Sequence, residues 1–337
     1  MNNKFFPSNF LFIMIMLMGM LLSLSSSHWL TMWMGLELNL MGFLPLINTK
    51  GKMLEAEAST KYFIIQSMSS SIFIFSSILL YLNNLSWYSM INNNLMSSFM
   101  MMSLVLKLGG APMHFWLPSI TKQMSWMILF MLLTLQKAAP LFMLSMMNSN
   151  FLMMMLLSLL SSLMGSIMAL NQTNLQMIIT YSSISHLGWM LSMILINSTI
   201  TLFYFMNYII ISIPIMYMLS MYMGNYTYML TKKMTMNPLL FVSLLLSLGG
   251  LPPLLGFMSK LIIIITLIKS KLFLFCLMML IGTLISLYFY LNMSLMLMIK
   301  SYMMMNSKIN KNLYNYLMSL NLMSSFIIYP LLIITIT

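Results

Sequence analysis

The chain consists of a succession of long apolar segments, each separated from the next by a few polar residues. A helix of about 20 apolar residues crosses the hydrocarbon core of a bilayer and satisfies its own backbone hydrogen bonds there. Hydropathy therefore predicts about eleven membrane-spanning helices. They cover roughly residues 10–24, 29–47, 62–82, 95–118, 126–147, 151–170, 175–196, 200–223, 239–268, 272–299 and 317–336.

The scarcity of charge excludes an ordinary soluble domain. Only 5% of the 337 residues are charged and 61% are hydrophobic, whereas a soluble domain carries about 25% charged residues. With so few charges, most of the surface must face lipid. The predicted fold class is therefore all-α, a polytopic membrane helix bundle without a separate soluble domain.

Three features of the sequence indicate synthesis inside a mitochondrion. Methionine occurs 49 times, mostly where Ile or Leu would serve, and all 15 basic side chains are lysines. The first residues carry no Arg-rich, Ser-rich leader of the kind that directs import. These features are typical of an AT-rich organelle genome that reads an isoleucine codon as methionine. They predict a location in the mitochondrial inner membrane.

The lysines between the segments predict the orientation. If consecutive loops lie on alternate sides, Lys269 and Lys271 fall on one side. Ten lysines fall on the other: Lys4, Lys50, Lys52, Lys61, Lys122, Lys232, Lys233, Lys300, Lys308 and Lys311. The positive-inside rule then places the N-terminus in the matrix and the C-terminus in the intermembrane space. The same distribution explains the net charge of +12 without a nucleic-acid partner, because the lysines form no clustered patch.

A few ionisable residues lie within the segments after the loop residues, including Glu55 and Glu57, are set aside. They are Glu37, Lys107, Lys137 and Lys260. A charge at a helix centre costs roughly 2.5–3.5 kcal/mol on insertion scales, so such residues indicate a functional site. The alternative is a lysine that extends its ammonium to the membrane surface. That explanation is strongest for Lys260 and weakest for Lys137.

Two segments carry the same interruption, Leu-Gly-Gly-Ala-Pro at 108–112 and Leu-Gly-Gly-Leu-Pro-Pro at 248–253, offset by 140 residues. Matched helix breaks are typical of transporters with two pseudo-symmetric halves. We predict a first half at 1–147 and a second half at 148–299, each with five helices and therefore inverted. A polar matrix loop and a C-terminal helix would follow at 300–337. Simple kinks are the alternative, which a matched pair beside lysines disfavours.

Two histidines indicate a further polar path. His186 shares one helical face with Ser182 and Ser185; such a stripe fits water inside the membrane and serine-mediated helix packing equally well. Water held by the stripe would lie between Lys137 and Lys260, and His114, which follows the first interruption, would line the same water-filled cavity. No phosphate-binding loop, dinucleotide-binding glycine pattern or Cys/His metal-ligand spacing occurs. We therefore expect this chain to bind no cofactor and no metal.

Six motifs occur in order along most of the chain. They are WMGLE at 33–37, EASTKYF at 57–63, KLGGAPMHFWLP at 107–118, QKAAP at 136–140, YSSISHLGWM at 181–190 and LGGLPP at 248–253. Together they resemble the subunit 2 family of mitochondrial NADH:ubiquinone oxidoreductase, respiratory complex I, as found in animals and particularly in insects. The resemblance implies an antiporter-like fold with inverted five-helix repeats and two broken helices.

The resemblance also implies a proton relay. Glu37 and Lys107 would form a coupled acid–lysine pair, Lys137 the central relay and Lys260 the terminal relay in the second broken helix. The sites for NADH, flavin, iron–sulfur clusters and ubiquinone would belong to other subunits. The implied partners are other membrane-arm subunits of complex I, including neighbouring antiporter-like subunits, and membrane lipids.

The implied function is proton translocation coupled to electron transfer from NADH to ubiquinone, within a translocase whose redox chemistry lies outside this chain. Two alternatives stay open from the residues alone. One is a structural membrane-arm subunit without a complete proton path of its own. The other is a free-standing cation/proton antiporter, because such proteins share the broken-helix pattern.

Overall fold

The computed structural model describes residues 7–49, 51–84, 89–147, 150–222, 238–252 and 254–303. These residues form thirteen α-helices. In chain order they are α1 (Pro7–Ser25), α2 (Trp29–Ile47), α3 (Met53–Asn84), α4 (Ser89–Leu108), α5 (Trp116–Thr121), α6 (Trp126–Leu133), α7 (Leu135–Met146), α8 (Phe151–Leu170), α9 (Leu175–Ile194), α10 (Ser198–Tyr222), α11 (Pro238–Gly249), α12 (Leu255–Lys269) and α13 (Phe273–Met303).

Ten of the eleven predicted segments correspond to these helices, and the eleventh, residues 317–336, lies outside the described residues. Within the described part of the chain, eight helical stretches are long and apolar enough to cross a membrane. The fourth and ninth segments are not among them, because each is divided at the predicted interruption. The prediction of an all-α, multi-pass membrane bundle is confirmed.

The third helix begins earlier than hydropathy predicts. α3 starts at Met53, so Glu55 and Glu57, which we place in a loop from the sequence, belong to its first turns. A carboxylate there interacts favourably with the positive end of the helix. Glu57 also forms an ion pair with Lys61, one turn further along. Hydropathy misses this part of the helix because its charged residues lower the average.

Helices α1 and α2 approach so closely that glycines of each helix contact the backbone of the other. A Cβ atom on Gly19 would lie 2.5 Å from the backbone nitrogen of Asn39. A Cβ atom on Gly35 would lie 2.6 Å from the backbone nitrogen of Ser23. Small residues permit this approach, which is a main source of helix association in lipid. The packing fixes the position of α2 and therefore of Asn39.

The chain divides into two compact units, Met1–Leu157 and Ser158–Thr337. This boundary lies within α8, whereas the predicted halves meet at residue 147, just before that helix. In the first unit α3 packs against α2, α4 and α5, and α7 packs against α4. In the second unit α10 packs against α9, α11 and α12. The inverted relation between the halves stays a prediction.

The interruption between α4 and α5, which we call the first break, begins with a defined backbone motif. Gly109 has a φ of +72°, and its N–H donates to the carbonyl of Leu106 at 3.1 Å. The N–H of Gly110 donates to the carbonyl of Val105 at 3.0 Å. This pair of bonds is a Schellman motif, which ends a helix at a glycine with positive φ.

The interruption between α11 and α12, the second break, begins in the same way. Gly250 has a φ of +86°, and its N–H donates to Ser247 at 3.2 Å while the N–H of Leu251 donates to Leu246 at 3.3 Å. The residue equivalent to Gly109 is therefore Gly250. Alignment of the two Leu-Gly-Gly sequences instead pairs Gly109 with Gly249. The distance along the chain between structurally equivalent residues is therefore one residue longer than the distance between the aligned motifs.

Replacement of Gly35 by Leu should destabilise the protein, because a side chain at this position must push α1 away from α2. Overpacking of this kind costs about 1–3 kcal/mol. Thermal unfolding of the full chain in lipid nanodiscs measures the effect. The control is Met34→Leu, because the neighbouring Met34 is exposed. Equal melting temperatures for the two variants would contradict the close helix approach.

Candidate functional site

Side chains donate to two backbone carbonyls at the first break, and one of these, the carbonyl of Leu106, also accepts the N–H of Gly109. The Nε1 atom of Trp116 donates to the carbonyl of Leu106 at 3.1 Å. The Nε2 atom of Gln66 donates to the carbonyl of Lys107 at 3.3 Å. A helix end in an apolar environment needs such partners, because hydrocarbon offers none. Neutral hydrogen-bond donors from α5 and α3 therefore stabilise the backbone at the end of α4.

Lys107 occupies the last turn of α4, directly before this break, and is 8% exposed. Glu37 on α2 is half-buried and close enough to interact electrostatically with Lys107. No nitrogen–oxygen contact within 4 Å joins these two described residues. The acid and the lysine therefore interact across a gap rather than as a direct ion pair.

A small cavity lies beside Lys107. Its volume is about 20 Å³, counted for water-sized molecules, and a cavity needs roughly 10–15 Å³ on this measure to hold one water. Its lining combines apolar side chains with five polar residues. The polar residues are Asn39, Tyr62, Gln66, Lys107 and Gln136. A water at this position would have several hydrogen-bonding partners, as a buried water requires.

Three of the lining side chains form a hydrogen-bonded network. The Nε2 atom of Gln136 donates to Oδ1 of Asn39 at 2.9 Å. The hydroxyl of Tyr62 donates to Oε1 of Gln136 at 3.4 Å. Gln136 thus connects α2, α3 and α7 and precedes Lys137 in the sequence. The network places the cavity next to the helical turn that carries Lys137.

Lys137 lies in the first turn of α7 and is 2% exposed. The fifth predicted segment is itself interrupted here, because α6 ends at Leu133 and α7 begins at Leu135. Thr134, between them, has φ −115° and ψ −75°, and its carbonyl accepts the N–H of Lys137 at 3.1 Å. Pro140, inside α7, has no N–H to donate to a backbone carbonyl of the preceding turn. A buried lysine therefore stands beside an irregular backbone in this segment as well.

Lys260 occupies the second turn of α12 and extends its side chain into the second break. Its Nζ atom donates to the carbonyl of Gly249 at 2.8 Å, and the residue is 6% exposed. A Cβ atom on Gly250 would lie 3.0 Å from Nζ. The ammonium therefore binds the end of α11 instead of extending to the membrane surface, which was the alternative for this lysine.

His186 lies in α9 and is 6% exposed. Its Nδ1 atom is 2.8 Å from the hydroxyl of Tyr204, and its ring packs against Tyr208 with centroids 5.4 Å apart. Ser182 and Ser185, on the same helix, donate their own hydroxyls to backbone carbonyls of α9. The polar stripe predicted on α9 thus leads to tyrosines of α10.

His114 lies within the first break and is 1% exposed. Its Nδ1 atom is 3.2 Å from the carbonyl of Pro112, and its ring stacks on Phe115 with centroids 4.4 Å apart. Within the described part of the chain its Nε2 atom has no hydrogen-bond partner. The residue is buried at the first break and is not among the residues that line the cavity beside Lys107. Its place in a water-filled cavity with the stripe of His186 stays a prediction.

The site predicted from the sequence does not include several neutral polar residues that the structure places beside the lysines and His186. Tyr62 and Gln66 on α3, and Tyr204 and Tyr208 on α10, are separated by four residues and so share one helical face. Polar side chains repeated at this spacing in an apolar helix are a usable signal. Gln136 also stands directly beside Lys137. Sequence reasoning overlooked these residues because only ionisable groups are costly enough to stand out.

Known proteins are similar to this chain in sequence and in the arrangement of their helices. Residues 26–286 match the family described as "NADH:quinone oxidoreductase/Mrp antiporter, TM". NADH-ubiquinone oxidoreductase chain 2 of Anopheles gambiae is 39% identical over 329 residues, 95% of this chain and 94% of that protein. The chain belongs to the NADH-ubiquinone oxidoreductase chain 2 family. The resemblance drawn from the six motifs is confirmed.

Solved structures extend the likeness of this chain 2 family member to the antiporter-like fold. A chain of respiratory complex I from Thermus thermophilus superposes with a TM-score of 0.80 at 25% identity, covering 86% of this chain and 70% of that chain. A chain of the membrane-bound sulfane sulfur reductase, an archaeal respiratory membrane complex, gives a TM-score of 0.82 at 17% identity. That match covers 95% of this chain and 73% of the archaeal one and concerns the fold alone.

The described residues of this chain 2 family member contain no group of three or more His, Cys, Asp or Glu side chains that could hold a metal ion. Its acidic residues are few, and the rings of His114 and His186 bind a backbone carbonyl and a tyrosine hydroxyl. The site offers buried amines, amides and hydroxyls. The amines can hold a proton, the hydroxyls can pass one along a hydrogen-bonded chain, and the amides can orient these groups through hydrogen bonds.

The bond between Asn39 and Gln136 should show strong coupling in a double-mutant cycle. Asn39→Leu or Gln136→Leu alone leaves a buried amide without its partner, which costs about 1–3 kcal/mol. Removal of both partners should cost less than the sum of the single changes. Unfolding free energies of the full chain in nanodiscs measure the coupling, and additive effects would contradict the network.

Proposed function

We propose that this chain is a membrane-arm subunit of mitochondrial NADH:ubiquinone oxidoreductase and contributes to its proton translocation through Glu37, Lys107, Lys137 and Lys260. The observation that supports this most is the burial of all three lysines, which are 8%, 2% and 6% exposed. Each lies at an interrupted helix of a membrane bundle. Buried amines in such positions are costly, and they are a usual feature of proton relays.

In the first unit the proposed event is a change of charge at Lys107. The carboxylate of Glu37 stabilises the ammonium of Lys107 across the gap. Reduction of quinone elsewhere in the complex would change this interaction and with it the proton affinity of Lys107. A water in the cavity beside Lys107 would exchange protons with the amine and hydrogen-bond to Gln136. The altered charge would then change the electrostatic energy of a proton on Lys137, which adjoins Gln136.

In the second unit Lys260 serves as the terminal relay. Its ammonium is held by the carbonyl of Gly249, so the amine has a fixed position from which to receive and release a proton. His186 is the neighbouring candidate, since its hydrogen bond to Tyr204 keeps the ring in a defined orientation. His114, buried at the first break, has the same kind of role there.

The redox chemistry belongs to partner subunits in this proposal. NADH, flavin, iron–sulfur clusters and ubiquinone would bind elsewhere, and this chain would bind neither cofactor nor metal. Its partners would be other membrane-arm subunits, including antiporter-like neighbours, and membrane lipids. A lipid contact is supported by large exposed apolar side chains, for example Phe10 on α1, Leu152 on α8 and Leu274 on α13.

The proposed location is the mitochondrial inner membrane, with the N-terminus in the matrix and the C-terminus in the intermembrane space. The distribution of loop lysines supports this orientation. Lys122, in the turn between α5 and α6, would face the matrix. Lys271, between α12 and α13, would face the intermembrane space.

Lys137→Ala should lower the number of protons translocated per electron, because it removes the central relay. The measurement is proton uptake and NADH oxidation by the purified complex in liposomes, expressed as a ratio per assembled complex. The control is Lys122→Ala, which removes an exposed lysine from a turn. A full ratio in assembled Lys137→Ala complex would overturn the relay and favour a structural role for the subunit.

The proposed orientation predicts from which side of the membrane a water-soluble reagent can reach each turn. In a Cys276→Ser background, Lys122→Cys should react with a membrane-impermeant maleimide in inside-out submitochondrial particles but not in intact mitoplasts. Lys271→Cys should show the opposite pattern. Labelling of both positions from the same side would contradict the alternation of loops.

A further inference from the structure

The second unit contains a cluster of buried tyrosine hydroxyls that the lysine relay does not use. Tyr204 and Tyr208 on α10 and Tyr290 on α13 are 2%, 5% and 1% exposed. The rings of Tyr204 and Tyr208 both pack against His186, with centroids 6.0 Å and 5.4 Å apart, and both tyrosines interact electrostatically with Tyr290. Burial of three phenol groups in one place is costly unless the oxygens find partners.

One end of the cluster contacts His186. The Nδ1 atom of His186 is 2.8 Å from the hydroxyl of Tyr204, and the rings of His186 and Tyr208 pack with centroids 5.4 Å apart. A histidine and a phenol in hydrogen-bond contact can exchange a proton in either direction, because each is both donor and acceptor.

The other end of the cluster contacts the second break. The ring of Tyr290 packs on Gly249, where a Cβ atom would lie 3.4 Å from its Cδ2 atom. The carbonyl of the same glycine accepts the hydrogen bond from Lys260 at 2.8 Å. Tyr290 is therefore adjacent to the residue that positions the terminal lysine of the proposed relay.

The hydroxyl of Tyr290 is buried, and no hydrogen bond of 3.5 Å or shorter reaches it from the described residues. Its hydrogen-bonding interaction with the Ser182 side chain is therefore a longer one. The Ser182 hydroxyl donates to the carbonyl of Ile179 at 2.7 Å and is left as an acceptor toward Tyr290. A buried polar atom without a close protein partner indicates an ordered water. Tyr290 and Ser182 together offer a donor and an acceptor to such a water.

We propose that Tyr204, Tyr208 and Tyr290 form a water-binding hydroxyl cluster that conducts protons between the imidazole of His186 and the amine of Lys260 at the second break. Each hydroxyl gives its own proton to the next acceptor and takes one from the preceding donor, so every tyrosine ends as a neutral phenol. No charge is left behind in the apolar interior. This inference rests on the proposed proton relay and adds side chains to its second half.

The test is Tyr290→Phe in the assembled complex, because phenylalanine keeps the ring that packs on Gly249 and removes only the hydroxyl. We expect the proton-to-electron ratio to fall by about the same fraction as in Lys137→Ala. The matched control is Tyr288→Phe, two residues away on α13, where the side chain is 59% exposed. This control should keep the full ratio.

Two further measurements separate conduction from structural support. A Tyr290→Phe, Lys137→Ala double variant should show no additional loss, because consecutive steps of one path fail together. The solvent deuterium isotope effect on proton uptake should also change in Tyr290→Phe. A structural role would lower the amount or melting temperature of the complex and leave the ratio per assembled complex intact.

The outcomes distinguish this inference from the proposal on which it depends. A full ratio in Tyr290→Phe together with a lowered ratio in Lys137→Ala would overturn the hydroxyl cluster alone. A full ratio in Lys137→Ala would overturn the lysine relay, whatever Tyr290→Phe does. A high-resolution map with no water within hydrogen-bond distance of the Tyr290 hydroxyl would also contradict the cluster.

Discussion

The satisfaction of backbone carbonyls where helices stop inside a membrane is the constraint on which this structure depends. Hydrocarbon supplies no hydrogen bonds, so each broken helix must bring its own donors. In the first break Trp116 and Gln66 donate to the carbonyls of Leu106 and Lys107. In the second break Lys260 donates to the carbonyl of Gly249. The breaks persist because these partners are held by neighbouring helices.

This requirement also explains why the polar residues of the first unit are concentrated. A side chain that caps a buried helix end must itself be supported, and Gln66 lies in the same cavity lining as Tyr62, Asn39 and Gln136. The close packing of α1 on α2 fixes Asn39, and Asn39 in turn fixes Gln136. Backbone interruption, polar network and space for a water thus have one physical origin.

The sequence predicted the parts that depend on strong local signals. Apolar runs gave the helices, and the bounds of α2 and α8 are those expected, because their ends coincide with polar residues. Glycine–proline pairs gave both breaks, and charge in an apolar segment gave the three lysines. The first turns of α3 were missed because Glu55, Glu57 and Lys61 make them polar. The capping of Leu106 by Trp116 was missed because it depends on how the chain turns after the break.

The neutral site residues were harder to predict for a different reason. Tyr62, Gln136 and Tyr290 resemble ordinary interfacial or packing residues in the sequence, since a single amide or phenol costs far less to bury than a charge. Only the fold shows that the polar atoms of Tyr62 and Gln136 meet and that the hydroxyl of Tyr290 is buried. Spacing by four residues on α3 and α10 identifies a common face, but it does not reveal which other helix lies opposite.

The two breaks differ in one respect that bears on function. In the first, neutral side chains bind the carbonyls, so a change in the charge of Lys107 leaves the helix end satisfied. In the second, the donor is the ionisable group itself. If Lys260 exchanges protons as proposed, each exchange alters a hydrogen bond that holds the end of α11. Proton transfer and local backbone structure are then coupled at the second break but not at the first, although both begin with the same glycine motif.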